Sequence, residues 1–210
     1  ELEITGVVAT TELTIPIAAY IAEKLNLNGI SYEDAQNITN KYRNRMRTLD
    51  VKNLNHPRFA LVSTRNDILK LNFKFPFVLK PSNLGGKRGI SVVKNLDELD
   101  SALKYTFQNM NNSTCLIEEY LDGGIEYSVE SLTYRGTSYI IQITEKISSG
   151  PPHCVELGHS QPACISKVLK KKIIETISEA LEKIGVTNGP CHTEIKIIKD
   201  EIYLIEFNAR

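Results

Sequence analysis

Glu194, Glu206 and Asn208 are the oxygen-bearing side chains whose spacing most directly suggests chemistry. They sit in two runs near the end of the chain, His192–Ile198 and Ile202–Phe207, separated by the polar Lys199-Asp200-Glu201. Both runs read as strands, so the spacing predicts a hairpin. A turn centred on Asp200 pairs residues whose numbers sum to 400, which sets Glu194 opposite Glu206 and His192 opposite Asn208. Alternation then places Ile195, Ile197, Tyr203, Ile205 and Phe207 on a core face. Glu194, Lys196, Leu204, Glu206 and Asn208 fall on the other face. Two facing carboxylates repel unless a cation lies between them. With Asn208 they form a hard-oxygen set of the kind Mg²⁺ prefers, with phosphate oxygens and water completing the octahedron. The same pattern also fits the solvated outer face of a hairpin, against which stands the charge inserted in the apolar run Tyr203-Leu204-Ile205-Glu206-Phe207.

A second constellation is the loop Lys80-Pro81-Ser82-Asn83-Leu84-Gly85-Gly86-Lys87-Arg88-Gly89. It joins two expected strands, so it is neither a G-x-x-x-x-G-K-[ST] loop entering a helix nor a G-x-G-x-x-G turn. Gly85, Gly86 and Gly89 let backbone N–H groups approach an anion, while Lys80, Lys87 and Arg88 add positive charge. A lid over a polyphosphate fits, and so does an ordinary glycine-rich turn. The third feature is Leu116-Ile117-Glu118-Glu119-Tyr120-Leu121-Asp122-Gly123-Gly124, followed by Glu126. It can link two subdomains and offer an adenine slot, with Glu126 accepting hydrogen bonds from ribose hydroxyls; alone it is an edge strand and a turn.

Secondary structure has to hold these groups in place. Residues 3–9 read as a short buried strand. Thr14-Ile15-Pro16 opens a helix through Leu25 with an apolar stripe of Ile17, Tyr20, Ile21 and Leu25. A second helix starts at Ser31, with Asp34 in capping-box position, and runs on through Lys41, Arg43, Arg45 and Arg47. Strands are expected over 58–63, 75–80, 90–93, 114–120, 125–134 and 137–146. Helices are expected over 66–71, over 96–107 with Asn95 as N-cap, and over 166–184. The 166–184 helix carries Val168, Leu169, Ile173, Ile174, Ile177, Ala180, Leu181 and Ile184 on one side. Residues 150–162, rich in glycine and proline, read as a surface loop carrying His153 and His159. The mixture predicts an α+β chain with largely antiparallel sheets.

Composition agrees with a folded domain. The 210 residues are 41% hydrophobic and 24% charged, and 25 basic residues balance 25 acidic ones. A chain bound to nucleic acid usually carries a basic excess, so that class is disfavoured. No apolar run is long enough to span a membrane. Cysteines 115, 154, 164 and 191 include no C-x-x-C pair, which predicts free, mostly buried thiols in a reducing cytoplasm. A zinc site from His153, Cys154, His159 and Cys164 matches no standard spacing. The missing initiator Met and signal peptide, with the abrupt ending Asn208-Ala209-Arg210, suggest a fragment of a longer protein.

Taken in this order, the features resemble the ATP-grasp family over about residues 31–210. The matching segments are Lys41, Phe75–Pro81 with the glycine loop, Ile117–Leu121, Gly124–Glu130, His192-Thr193-Glu194 and Ile205-Glu206-Phe207-Asn208-Ala209-Arg210. The resemblance implies two α+β subdomains with largely antiparallel sheets clasping ATP, preceded by the end of an α/β domain. The expected division is 1–30, 31–119 and 120–210. Carried over residue by residue, Lys41 and Lys80 contact ATP phosphates, beneath a lid containing Gly85 and Gly86. Glu118, Glu119, Tyr120 and Leu121 form the adenine hinge, Glu126 meets the ribose, and Lys146 is a looser match to a basic residue near the phosphates. Glu194, Glu206 and Asn208 match magnesium ligands, with manganese able to substitute. Arg210, with Lys80, is expected to act in catalysis, steadying the reacting carboxylate or its acyl phosphate.

The implied activity is ATP-dependent ligation of a carboxylate to an amine, of amino-acid or peptide type, releasing ADP and phosphate. The segment Glu145-Lys146…Gly158-His159…Pro162 resembles the substrate-side loop of amino-acid ligases in this family. The same segment also fits a solvated loop with incidental histidines. Alternatives are a purine-biosynthesis or biotin-carboxylase-like enzyme of the same family, and a nucleotide-binding module without turnover. Small-molecule carboxylates and amines are the expected partners, with no nucleic acid or membrane, and a homodimer of the longer protein is compatible with the family.

Overall fold

The computed structural model describes residues 3–86, 88–110, 114–149 and 156–209. In chain order its elements begin with α1 (Ile15–Lys24), α2 (Tyr32–Ile38), α3 (Lys41–Arg47), β1 (Leu54–Asn55), β2 (Phe59–Val62), α4 (Arg65–Leu71), β3 (Phe77–Lys80) and β4 (Ser91–Val93). They continue with α5 (Leu99–Gln108), β5 (Cys115–Glu119), β6 (Ile125–Tyr134), β7 (Thr137–Ser148), β8 (Glu156–Ser160), α6 (Lys167–Lys183), β9 (Gly189–Ile198) and β10 (Glu201–Ala209). The described residues divide into two compact units. The larger holds 3–39, 43–55 and the described part of 124–209; the smaller holds 40–42 and the described part of 56–123.

The larger unit is built on a six-stranded sheet of order β1-β10-β9-β6-β7-β8. Only the β1–β10 pair is parallel. The hydrophobic side of α6 covers one face of it. Ile173, Ile177, Ala180, Leu181 and Ile184 pack with Tyr127, Val129, Ile143, Ile195, Leu204 and Phe207 in one buried cluster. Ser166 starts α6 by accepting a hydrogen bond from the Leu169 amide. Val168, expected on the buried side, is 80% exposed. It lies in the first turn, ahead of the stretch that meets the sheet.

The smaller unit is a four-stranded antiparallel sheet of order β2-β5-β3-β4. Its core unites Val62, Ile68, Phe77, Leu79, Leu99, Leu103, Cys115 and Ile117. Asn95 caps the turn leading into α5 by accepting from the amides of Asp97 and Glu98.

Several expectations are corrected. Residues 3–9 form no strand: no described strand pairs with them, and Ile4 and Val8 are 60% and 71% exposed. Helix α1 forms as expected but turns the other way. Ile15, Ala19 and Ala22 are buried, and Ile17, Tyr20, Ile21 and Leu25 are exposed. The inward face is thus Ile15 with two alanines, and the bulkier stripe faces outward. The long helix from Ser31 is two helices. Ser31 caps α2 through the Asp34 amide. At the break, the Thr39 hydroxyl donates to the Ala35 carbonyl and the Lys41 amide donates to Ser82 O instead of up the helix. The histidine loop is in part a strand, with Lys146 paired to His159 between β7 and β8. The compact units also differ from the expected segments 1–30, 31–119 and 120–210. Ala9, Ile15, Ala19 and Ile30 share the core of the larger unit, and its chain resumes at Gly124.

Gly124 begins the path into β6 with φ +72°, and a Cβ there would lie 2.3 Å from the Ile197 carbonyl oxygen. Gly123 has φ +67° but open space around it. Replacing Gly123 by Ala is expected to cost about 1–2 kcal/mol, the ordinary penalty of the left-handed region. Gly124→Ala adds a backbone collision and is expected to cost clearly more; urea unfolding of both variants checks the ranking, and equal midpoints would contradict it.

Candidate functional site

In the larger unit, the sheet face away from α6 presents polar side chains in three cross-strand rows. Lys146, Glu126 and Lys196 form one row, with His159 beyond Lys146. Thr144, Ser128, Glu194 and Glu206 form the second. Gln142, Glu130, His192 and Asn208 form the third. Four strands thus bring Glu126, Lys146, Glu194, Glu206 and Asn208 onto one surface.

Glu194 does face Glu206, and His192 faces Asn208, but by a different route from the one expected. The turn has two residues, Lys199 and Asp200, with φ +51° and +63°. That is the tight hairpin turn with both central residues in positive φ. It pairs Leu204 with Ile195, one residue out of the expected register, and a bulge between Leu204 and Glu206 then makes up the difference. The bulge also switches which residues face inward. Ile202 and Leu204 are buried before it, and Phe207 and Ala209 after it. Leu204 therefore leaves the polar face expected for it, and Tyr203 and Ile205 are half-buried rather than core. The fully buried Arg45 donates from Nη2 to the Ile205 carbonyl at 3.1 Å, holding the bulged residue.

Cations hold Glu194, one of the facing acids. Lys146, 8% exposed, places Nζ 2.5 Å from Glu194 Oε1. His192 lies between two carboxylates, with Nδ1 2.6 Å from Glu130 Oε1 and Nε2 3.2 Å from Glu194 Oε1. Asn208 Nδ2 donates to Glu206 Oε1 at 3.1 Å. The Glu130 and Glu194 hydrogen bonds hold the His192 ring well above its usual range, at about 9. Burial works most strongly against the Glu194 charge, but the His192 hydrogen bond and the Lys146 charge outweigh it and bring its carboxyl down to about 2. Glu130 and His192 were not singled out as site residues from sequence. The available signal was the i, i+2 spacing of His192 and Glu194, which puts both on one face of a strand.

Two carboxylates and an amide from adjacent strand positions fit magnesium in donor chemistry. No cluster of three or more His, Cys, Asp or Glu able to hold a metal occurs among the described residues. Magnesium itself commonly takes one or two carboxylates plus substrate phosphates.

In the smaller unit, Lys80 ends β3 and is 7% exposed. It forms a buried ion pair with Glu118 of β5, its diagonal neighbour on the sheet face away from Phe77 and Leu79. Lys41 ties down the glycine loop: its amide donates to Ser82 O at 2.6 Å and its Nζ to Leu84 O at 2.8 Å. Gly86 is exposed with φ +68°, and Gly85 is half-buried. Gly89 packs so closely that a Cβ would fall 2.8 Å from Pro81 Cγ. Glu119 is exposed, and Tyr120 and Leu121 are half-buried just beyond β5. Lys87, His153, Cys154 and Arg210 lie outside the described residues, so the expected catalytic role of Arg210 and half of the weighed zinc set have no structural counterpart here.

A family model for the ATP-grasp domain matches residues 73–210. The chain belongs to the ATP-grasp family. The L-amino acid ligase structure from Bacillus licheniformis superposes with a TM-score of 0.84 at 28% identity, covering 99% of this chain and 49% of that one. The α+β fold with antiparallel sheets is thus an ATP-grasp fold. A D-alanine–D-alanine ligase from Flavobacterium psychrophilum is 34% identical over 147 residues, 67% of this chain and 44% of the relative. An alanine–anticapsin ligase from Bacillus subtilis is 24% identical over 231 aligned positions, 99% of this chain and 48% of the relative. The ATP-grasp chain therefore spans about half the length of the curated relatives it matches. No described helix is long and apolar enough to cross a membrane.

Two outcomes follow from the charges. In metal-free protein, the stability due to His192 is fully present below its ordinary pKa of 6.5 and is lost as pH rises through about 9. That due to Glu194 is present above its ordinary 4.5 and is lost as pH falls toward about 2. The stability advantage over His192→Gln should therefore shrink as pH is raised through 9, and a difference constant with pH would show the ring uncharged. For the buried pair, Lys80→Met is expected to cost about 3–5 kcal/mol by taking the buried cation away from Glu118, and adding Glu118→Leu should recover most of it. Equal denaturant midpoints for the single and double variants would show that Glu118 does not depend on Lys80.

Proposed function

We propose that this ATP-grasp chain serves an ATP-dependent ligase that joins a carboxylate to an amine, of amino-acid or peptide type, releasing ADP and phosphate. The observation that carries this reading is the facing pair Glu194 and Glu206 with Asn208 beside it, set among Lys146 and His192 on one sheet face. The amino-acid ligases among its relatives support the substrate class.

The chemistry has to bring a carboxylate to the γ-phosphate against like charge. A carboxylate oxygen attacks the γ-phosphorus; the bond from phosphorus to the β,γ-bridging oxygen breaks, and ADP leaves with the electron pair. The amine nitrogen then attacks the carbonyl carbon of the acyl phosphate. The carbon–oxygen bond to phosphate breaks, and the proton lost by nitrogen passes to phosphate or solvent. Fixed positive charge lowers both barriers, because it is already in place where negative charge concentrates. Lys41, Lys80 and Lys146 are assigned to the phosphates, Glu118 to Leu121 to the adenine, Glu126 to the ribose and Arg210 to the acyl phosphate. Gly85 and Gly86 belong to the loop that keeps water from the reacting group. Glu194, Glu206 and Asn208 would hold magnesium, which when bound neutralises charge on the phosphate oxygens. Manganese has the same oxygen preference. The free thiols Cys115, Cys164 and Cys191 suit a reducing cytoplasm.

Glu206→Gln separates function from stability. The Gln oxygen can still accept the Asn208 hydrogen bond, so the apo fold is expected to change by no more than about 0.5 kcal/mol. Loss of the ligand charge should strongly reduce both Mg-ADP stabilisation in thermal unfolding and ADP formation by the protein that carries this chain. Equal stabilisation and equal turnover in the two proteins would remove Glu206 from the metal site.

A further inference from the structure

We propose that Glu130 and His192 are positioning residues that orient Glu194 toward the metal ion, a role that rests on the reading of Glu194 as a magnesium ligand. Glu194 is half-buried on the polar sheet face, and a glutamate without restraining partners could place its carboxylate in several rotamers. Two donors restrain it. Lys146 Nζ, at 2.5 Å, and His192 Nε2, at 3.2 Å, reach the same oxygen, Oε1. They approach from different strands, Lys146 from β7 and His192 from β9 itself. With Oε1 held on two sides, the carboxylate is restrained, and Glu194 would hold the ion together with Glu206 and Asn208.

His192 can hold that position only if its own ring is fixed. Glu130, its cross-strand neighbour on β6, does this at 2.6 Å from Nδ1. Both ring nitrogens are therefore engaged by carboxylates, so His192 acts as a donor to Glu194 rather than as a metal ligand. Magnesium in any case prefers oxygen. The order of action is Glu130 on His192, His192 on Glu194, and Glu194 on the ion. Partners of this outer kind typically change metal affinity by about 10–100-fold when removed.

The test uses the full chain with ADP and Mn²⁺, following free Mn²⁺ by its paramagnetic resonance signal, and it needs no turnover. Glu130→Ala and His192→Ala are each expected to raise the Mn²⁺ concentration for half-saturation by about tenfold or more. ADP affinity measured without metal should stay the same. Glu130→Gln, whose amide oxygen can still accept from Nδ1, should remain near the wild-type value. Glu130→Ala placed in a His192→Ala background should add little, since the first acts through the second. Glu194→Gln is the control for the underlying reading. If it leaves Mn²⁺ binding unchanged, Glu194 is not a ligand and the relay falls with that assignment. If Glu194→Gln weakens Mn²⁺ while Glu130→Ala and His192→Ala alter only thermal stability, the metal site stands and the relay is overturned. Equal weakening of ADP with and without metal would likewise assign these residues to general packing.

Discussion

Two acids held face to face on neighbouring strands are the constraint around which the larger unit is arranged. Glu194 and Glu206 would repel if left alone, and a sheet places opposed side chains within a few ångströms of each other. The surroundings offset that repulsion. Lys146 and His192 both hold Glu194, while Glu206 takes its hydrogen bond from the neutral Asn208 amide. Glu194 is thus restrained by positive charge from Lys146 and His192, beside the second acid proposed to share a cation with it.

The pairing itself depends on backbone detail that side-chain patterns do not reveal. The Lys199–Asp200 turn and the bulge at Ile205 shift the register by one residue in opposite senses, and the two shifts cancel at Glu206. The spacing of Glu194 and Glu206 therefore led to the right neighbours through a regular hairpin that does not exist. Between the turn and the bulge, the inward-facing set was misread. Leu204 is buried and Tyr203 is not, because alternation runs from the actual turn and not from an assumed centre. Arg45 could not be connected to the hairpin from sequence, since its bond to Ile205 O spans 160 residues of chain.

Elements whose signals are local were legible: the Ser31 and Asn95 caps, the α6 stripe from Ile173 onward, and the long alternating strands β6 and β7. Features decided by tertiary partners were not. The bulky stripe of α1 is a stronger periodic signal than Ile15, Ala19 and Ala22, yet it is the latter face that turns inward. A run such as Ile4–Ala9 becomes a strand only when another strand supplies its hydrogen bonds. Strand β8 lies next to glycine and proline, which argue for a loop, and pairing with the long β7 overrides them. Lys80 and Glu118 were each marked for separate contacts. That they satisfy one another is invisible in sequence, where 38 positions separate them.

Three lysines assigned to phosphate share a property that bears on how such a site works. Lys41, Lys80 and Lys146 are 8%, 7% and 8% exposed, and each is held by an acceptor of the protein: Leu84 O, Glu118 and Glu194. A lysine so far from water needs a partner to stay charged. The protein acceptors supply that while no nucleotide is bound, and they fix each ammonium in place beforehand. Binding a polyphosphate then becomes an exchange or sharing of acceptors and does not require recruiting a flexible, hydrated chain. Less ordering entropy remains to be lost at that moment. Lys41 would share its ammonium with the Leu84 carbonyl, and Lys80 and Lys146 would share theirs with Glu118 and Glu194. For Lys146, the acid left behind is itself an assigned metal ligand, so magnesium arriving with the nucleotide can take over the charge that the lysine gives up. On the proposed assignments Lys146 and the metal would be coupled through Glu194, and phosphate and magnesium are then expected to bind more favourably together than either does alone.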